Sequence, residues 1–273
     1  MTSRLIEMDQ SSNVARAFDE IADIFNGQYE NEITVKLRRR IYRTVESLLP
    51  PGGSILDINC GTGIDASYFA SRGFRVTGVD ISPGMIRVAE EKHGRNGGPS
   101  FRVGSFDNLS GILSEQYDLA FSNFGGLNCI QQLDNVGKQV ARVLRSAGYF
   151  VAMVMPSFSL WEFFSFALRG NLSSALRRVG RKARASGFHG RDFDVYYHSP
   201  STLSKALHPW FRKLDLYGVS IMSPAPQSMA FARRFPMVSK LLANVDNIVE
   251  RIPGLRSVGD HYVISLQKRL NLE

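Results

Sequence analysis

Cysteine is scarce in this chain of 273 residues: Cys60 and Cys129 are the only two. Two thiols cannot staple a small secreted framework, so a packed core must hold the fold, and a reducing cytoplasmic setting is expected. No run of eighteen apolar residues occurs, which leaves no candidate for a membrane-spanning helix. Met1 to Gln10 carries Glu7 and Asp9 and lacks an apolar central stretch, so it does not read as a signal peptide. No metal site is expected. Acids are outnumbered, 25 against 33 Lys and Arg, for a net charge of +8. That surplus suits a plain soluble surface, and equally an anionic partner such as nucleic acid, a membrane surface or an acidic substrate. The total alone does not choose among them.

What is present centres on residues 54–82. Ile55, Leu56 and Ile58 form a short apolar strand ending in Asp57-Ile58-Asn59. Cys60-Gly61-Thr62-Gly63 then turns the chain, the glycines permitting a sharp bend and a close ligand. A helix through Tyr68 and Phe69 follows and stops at Arg72-Gly73. Val76, Val79 and Ile81 make a second strand, with Asp80 at its end. An acid there accepts hydrogen bonds from the two ribose hydroxyls of an adenosine.

Gly61-x-Gly63-x-x-Ala66 also satisfies a dinucleotide pattern, so glycine spacing does not decide the cofactor. Charge favours one. Asp57, Asp65 and Asp80 surround the turn, whereas a pyrophosphate needs that helix N-terminus free of competing anions. S-adenosylmethionine (SAM) has no phosphate and carries a sulfonium and an ammonium, which carboxylates attract. Ile55 to Gly63 resembles motif I of the class I SAM-dependent methyltransferases of the small-molecule type, with Asn59 standing where the first glycine is usual. Asn tolerates a positive φ, so the turn survives the exchange. The resemblance covers residues 40–155 well and the remainder in outline.

Strands and helices alternate through the chain, which predicts a doubly wound α/β sheet. The resemblance makes it a Rossmann-like sheet of seven strands with the last antiparallel and helical lid insertions. The expected organisation is a helical cover over 1–49, a SAM-binding core over 50–155, a helical lid over 156–200, completion of the core over 201–223, a second helical insertion over 224–259, and a last strand and tail over 260–273. Residues 1–12 are expected to fray, and Asn13 to cap a helix broken at Asn26-Gly27. A second helix from about Glu32 to Leu49 is expected to turn Lys36, Arg38, Arg39, Arg40 and Arg43 outward. Both insertions leave the sheet on the edge that carries the glycine turn, where α/β folds bind ligands, so they should roof an acceptor. The first is aromatic from Phe158 to Leu168 and then basic from Arg169 to Arg191, with no acid in the basic stretch. That composition reads as an aromatic helix beside a basic one, fit for a lipophilic acceptor with an anionic group, a membrane surface or nucleic acid, or simply a solvated lid.

The residues assigned to the cofactor are Tyr29, Asp57, Asn59, Gly61, Gly63, Asp80, Ile81, Met85, Ser105, Phe106, Asp107, Ser122, Asn123 and Phe124. The resemblance implies that Asp107 meets the adenine amino group, the alternative being a cap on the next helix; Tyr29 is either a cofactor cover or a surface tyrosine. Methyl transfer is an in-line displacement with a neutral leaving group, so it needs chiefly orientation. A base matters where the acceptor must lose a proton, and His198, His261 and Tyr197 are the candidates, with His189, Tyr196 and Asp260 beside them. Asn123 stands where amino-methylating enzymes carry Asn-Pro-Pro-Tyr, but Ser122-Asn123-Phe124-Gly125 lacks both prolines. The expected reaction is O- or C-methylation of a small lipophilic acceptor, with peripheral membrane contact open. The alternatives are an RNA methyltransferase using the basic lid and a NAD-dependent oxidoreductase; the Tyr-x-x-x-Lys pair of short-chain dehydrogenases is absent.

Overall fold

A computed structural model describes residues 2–95, 97–188 and 191–270. The chain opens with α1 (Thr2–Asp19), α2 (Phe25–Tyr29) and α3 (Glu32–Leu48). It then alternates through β1 (Ser54–Asp57), α4 (Ile64–Ser71), β2 (Arg75–Asp80), α5 (Pro83–His93), β3 (Ser100–Val103), α6 (Leu109–Ile112), β4 (Tyr117–Ser122), α7 (Leu133–Val143) and β5 (Leu144–Val154). The first insertion holds α8 (Leu160–Ala167), α9 (Leu172–Ala175) and the strands β6 (Lys182–Phe188) and β7 (Arg191–Tyr196). After α10 (Pro200–Leu207) and β8 (Phe211–Val219), the second carries α11 (Met229–Arg234) and α12 (Pro236–Val249), and β9 (His261–Lys268) ends the sheet.

The sheet has seven strands in the order β3-β2-β1-β4-β5-β9-β8. The first five run parallel, and β9 pairs antiparallel with both β5 and β8. The strand order reverses between β1 and β4, and ligands bind such sheets at that switch point. One face packs under α3, α4 and α5 through Ile41, Val45, Phe69 and Ile86. The other packs under α7 and α10 through Val136, Val140, Leu203 and Leu207. Cover on both faces explains why Phe150 to Val154 is apolar without interruption.

The N-terminal segment differs from expectation. α1 is helical from Thr2, and its end is tied to the core: Asp19 Oδ1 accepts from Ser82 Oγ at 2.5 Å and from the Gly84 amide at 2.7 Å. Asn26-Gly27 lies inside α2 instead of ending a helix. Asn31 caps α3 in a full capping box, its side chain accepting from the Ile33 and Thr34 amides. On α3, Leu37, Ile41, Tyr42 and Val45 are buried while Val35 is exposed, and Arg38, expected on the outer face, turns inward to Asp65.

Beyond the single turn of α9, the basic stretch of the first insertion is not a helix but runs into the β6–β7 hairpin. Ala183 and Ala185 on β6 face Val195 and Phe193 on β7, an alternation of period two that makes one apolar face. That face packs against Val14, Ala17 and Phe18 of α1. The missing acids lie across the hairpin: Lys182 pairs with Asp194 at 2.8 Å and Arg184 with Asp192 at 3.1 Å. Gln10 closes the β7 edge, its amide donating to the Asp194 carbonyl at 2.8 Å and accepting from the Asp194 amide at 3.2 Å. The second insertion carries the helices α11 and α12.

Candidate active site

A cavity of about 960 Å³ opens at the carboxyl ends of the strands. That is the upper end of the usual range for ligand cavities, roughly 300–1,000 Å³. One wall is the glycine turn, with Asn59, Gly61 and Thr62; another is the end of β2, with Asp80 and Ile81, and Met85 of α5. Ser105, Phe106 and Asp107 follow β3, and Asn123, Phe124 and Gly125 follow β4. The first insertion supplies Phe166, Arg177, Arg178, Tyr196 and Tyr197. Gln227, Asp260 and His261 come from the second insertion and β9. The first helices close the remaining side with Val14, Phe18, Phe25, Tyr29 and Arg38.

The turn is built for close approach at one glycine and for packing at the other. Gly61 has φ +52°, and a Cβ there would meet nothing within 4 Å. A Cβ on Gly63 would come within 2.8 Å of the Phe101 ring, so Gly63 seats α4 against its neighbours and does not line the cavity. Asp80 Oδ2 accepts from the Gly61 amide at 2.8 Å and Oδ1 from the Ser82 amide at 3.0 Å. Burial raises its pKa above the usual carboxylate range, and those two amides restrain the rise. A carboxylate offers about four acceptor positions, so it retains capacity for hydroxyl donors.

Asn59 does not occupy a positive φ; among the described residues, the non-glycine ones that do are Phe124, Ala147, Arg181 and Ser220. Its side chain bridges β1 to β4, donating to the Asn123 carbonyl at 2.9 Å and accepting from Ser122 Oγ at 2.6 Å. Ser122 is fully buried in that bridge and stands behind the cavity wall. The strained residue is Phe124, at φ 45°, a conformation that a bulky side chain seldom adopts and that collects at functional sites. Its amide donates to Asn123 Oδ1 at 2.8 Å, and the Arg38 guanidinium sits 4.7 Å over its ring.

The three acids around the turn are not equivalent. Asp65 is taken up by Arg38, by the Tyr42 hydroxyl and by Asn123 Nδ2 at 3.0 Å. Arg38 also binds Glu30 at 3.0 Å. Of the three acids, Asp57 and Asp80 are therefore the two left without a cationic side chain bonded to them. Asp57 is buried just behind the turn, and apart from a weak approach by the Asn59 amide neither oxygen has a hydrogen-bond partner. Burial first, and the nearby Asp65 second, push its carboxyl well above the usual range. Tyr29 lines the cavity and packs on Phe25 at 4.9 Å between ring centroids. Asp107 does not cap α6, whose N-cap residue is Asn108.

Of the proposed bases, the structure brings His261 and Tyr197 to the cavity and leaves His198 out. His198 is buried, with Nε2 2.9 Å from the Ile130 carbonyl oxygen, and burial lowers its pKa. Tyr197 is held protonated by burial, which raises its pKa. His261 Nδ1 lies 2.9 Å from Asp260 Oδ2, close but off the line of a full hydrogen bond. Arg178 fixes Asp260 from the other side, with Nη2 on Oδ1 and Nη1 on the backbone carbonyl, both at 2.8 Å. Glu162 then holds Arg178 at 2.7 Å and Arg177 at 2.6 Å. Burial opposes the charge on Asp260, but His261 and Arg178 overcome it and keep the carboxyl below the usual range. This chain of charges was not visible in the sequence, because its members stand up to 99 positions apart (Glu162 to His261). Cys129 also lines the cavity, but burial pushes its thiol up to about 12, so it is no nucleophile at neutral pH. His189 lies outside the described residues.

The residues present fit SAM. Gly61 leaves its side of the crevice open, Asp80 stands at the strand end, and the unpartnered Asp57 carboxyl lies behind the turn. A cationic ligand suits a wall that carries Asp80 and is backed by Asp57.

Residues 55–148 match a family model described as a methyltransferase domain. A demethylmenaquinone methyltransferase of Thermobifida fusca is 31% identical over 53% of this chain and 62% of its own length. An 18S rRNA (guanine-N(7))-methyltransferase of Schizosaccharomyces pombe is 40% identical over 28% of this chain and 32% of its own. The chain spans about half the length of the curated relatives it matches. The solved structure of a SAM-dependent methyltransferase from Mesorhizobium loti superposes with a TM-score of 0.55 at 16% identity, covering 83% of this chain and 96% of that one, a likeness of fold. With the turn, the acid at the end of β2 and the reversed strand order in place, residues 55–148 carry a methyltransferase domain on the fold that SAM-dependent methyltransferases share.

Proposed function

We propose that this chain methylates a small lipophilic acceptor at a hydroxyl, carboxyl or acidic carbon. The observation that carries the reading is one continuous cavity with two differently built halves. The half around Gly61 sets Asn59, Thr62 and Asp80 beside Ile81, Met85 and Phe106, with Asp80 tied to backbone amides. The half under the insertions combines Phe124, Phe166, Tyr196 and Tyr197 with Arg177, Arg178 and the Asp260–His261 pair. In the first half Asp80 receives the ribose hydroxyls, Asp107 the adenine amino group, and the Asp57 carboxyl favours the cationic end of the cofactor. Bound SAM supplies an electrophilic methyl on a sulfonium whose departure leaves a neutral thioether.

The chain's own residues then position and deprotonate the acceptor. The aromatic walls exclude water and hold an apolar body. His261 takes the acceptor proton at its ring, and Asp260 balances the resulting imidazolium while Arg178 keeps Asp260 in place. The relatives' names point to different acceptors, so the choice rests on the cavity. The hairpin's Lys182 and Arg184 are paired with its own carboxylates, which leaves less free positive charge for an RNA backbone. The test uses SAM labelled with tritium in the methyl group and a cell extract as the acceptor pool. The expected product extracts into organic solvent and resists RNase and protease. Label destroyed by RNase would replace the small acceptor with RNA.

A further inference from the structure

The outer surface of the two insertions is built the wrong way round for a helix facing water. Among the described residues, five strongly exposed large apolar side chains lie in the first insertion and six in the second, against six in all the rest. On α12, Met237 is 85% exposed, Leu241 63% and Ile248 74%. At 3.6 residues per turn these three fall within roughly 40° of one another on the helix, and Asp246 falls roughly opposite. Asp246 is the side chain that α12 buries, its carboxylate accepting from the Met222 amide at 2.7 Å and from Ser223 Oγ at 2.5 Å. The helix therefore shows its apolar stripe to solvent and its acid to the protein. Leu168 and Leu172, beside α8 and α9, are likewise 86% and 61% exposed. The insertions meet where the Trp161 ring packs on Phe231 at 5.1 Å and its Nε1 donates to Ser228 Oγ at 2.8 Å.

Charge identifies the occupant. The acid between 160 and 181 is Glu162, and the acid between 229 and 249 is Asp246; both are buried and committed inward. Arg169, Arg181, Arg233, Arg234 and Lys240 of the same segments are exposed. Exposed apolar residues interleaved with cations, without an exposed acid, match the boundary of an anionic bilayer. We infer that the outer face of α8, α9, α11 and α12 docks on an anionic lipid surface, Met237, Leu241 and Leu168 entering the acyl boundary. Among the described residues no helix is long and apolar enough to cross a membrane, so the contact is peripheral. The inner face of the same insertions lines the cavity through Phe166 and Gln227. Delivery of an acceptor from bilayer to cavity rests on the lipophilic reading above; the docking itself does not.

Co-sedimentation with vesicles tests it, comparing phosphatidylcholine alone with phosphatidylcholine mixed with phosphatidylglycerol. The full chain should pellet with the mixed vesicles and much less with the neutral ones, and added salt should release it. Met237→Ser with Leu241→Ser, and separately Arg233→Glu with Arg234→Glu, should each cut the bound fraction about tenfold. The melting shift given by S-adenosylhomocysteine should stay as in the wild type, showing an intact fold and cofactor site. Equal sedimentation of wild type and variants, or no preference for anionic lipid, overturns the proposal. A dimer that the Met237 and Leu241 changes dissociate also overturns it, assigning the face to a second copy. Vesicle binding by a protein that methylates only RNA would uphold the docking and remove the lipophilic acceptor.

Discussion

At the scale of single residues, two carboxylates with opposite shifts carry the testable chemistry. Asp57 titrates above its unfolded value because it is buried and lies near Asp65. Between those two values the folded state holds an extra proton, so stability falls as pH rises through that window. Asp57→Asn removes the titration. Its melting temperature relative to wild type should rise between pH 4 and pH 8, by roughly 3 °C for each kcal/mol involved. A difference that stays flat with pH would mean that Asp57 is solvated or paired. Asp260 is shifted downward, so its contribution is present above the ordinary carboxylate range and lost as pH falls through its folded value. For the base, His261→Asn should lower kcat on a deprotonating acceptor by about 10²- to 10⁴-fold and leave KM for SAM unchanged. His198→Asn should lower the melting temperature and spare kcat, since His198 does not line the cavity and spends its ring on the Ile130 carbonyl. Equal losses of kcat from the two variants would remove His261 from the role of base.

At the scale of elements, the junction of β1 and β4 depends on a matched pair. A Cβ on Gly126 would lie 2.3 Å from Asn59 Cγ, so glycine at 126 makes room for the amide that ties Ser122 to Asn123. Gly126→Ala should cost about 1–3 kcal/mol by overpacking. In the Asn59→Gly background the same change should cost much less, and thermal unfolding of the four proteins gives the coupling. Additive losses would show that the two positions do not meet. α3 offers a second case: Asn31→Ala removes a side-chain cap that accepts from two amides, and should lower stability by about 1 kcal/mol. The core elements were legible because each is written locally: a short apolar run, a glycine turn, a helix stop at Arg72-Gly73. The hairpin was not, because its signal is split. The alternation in Ala183 and Ala185 is short, and the acids that pair with Lys182 and Arg184 stand on the returning strand. Counting charge along one segment mistook a paired ribbon for a basic helix.

At the scale of the whole molecule, the sequence placed both insertions over the glycine turn by topology alone, and the cavity is lined by both. Most of the residues assigned to the cofactor line it as well. Asp57 and Ser122 stand just behind that wall and Gly63 in the packing beneath α4. What sequence could not supply were the contacts across long separations, namely Arg38 with Asp65, Gln10 with Asp194, and the series from Glu162 through Arg178 to Asp260. Arg38 shows the reason. A run of arginines on a helix reads as a solvated face, and only the packed fold reveals that one of them turns inward to a buried acid. The central claim is that one cavity seats the cofactor at Gly61 and Asp80 and leaves the half beside His261 for the acceptor. A crystal structure of the protein with S-adenosylhomocysteine tests it most directly. The account predicts ribose hydroxyls on Asp80, adenine beside Asp107, and the sulfur facing the open half of the cavity where His261 stands. A nucleoside lodged under the insertions, or a sulfur turned away from His261, would contradict it.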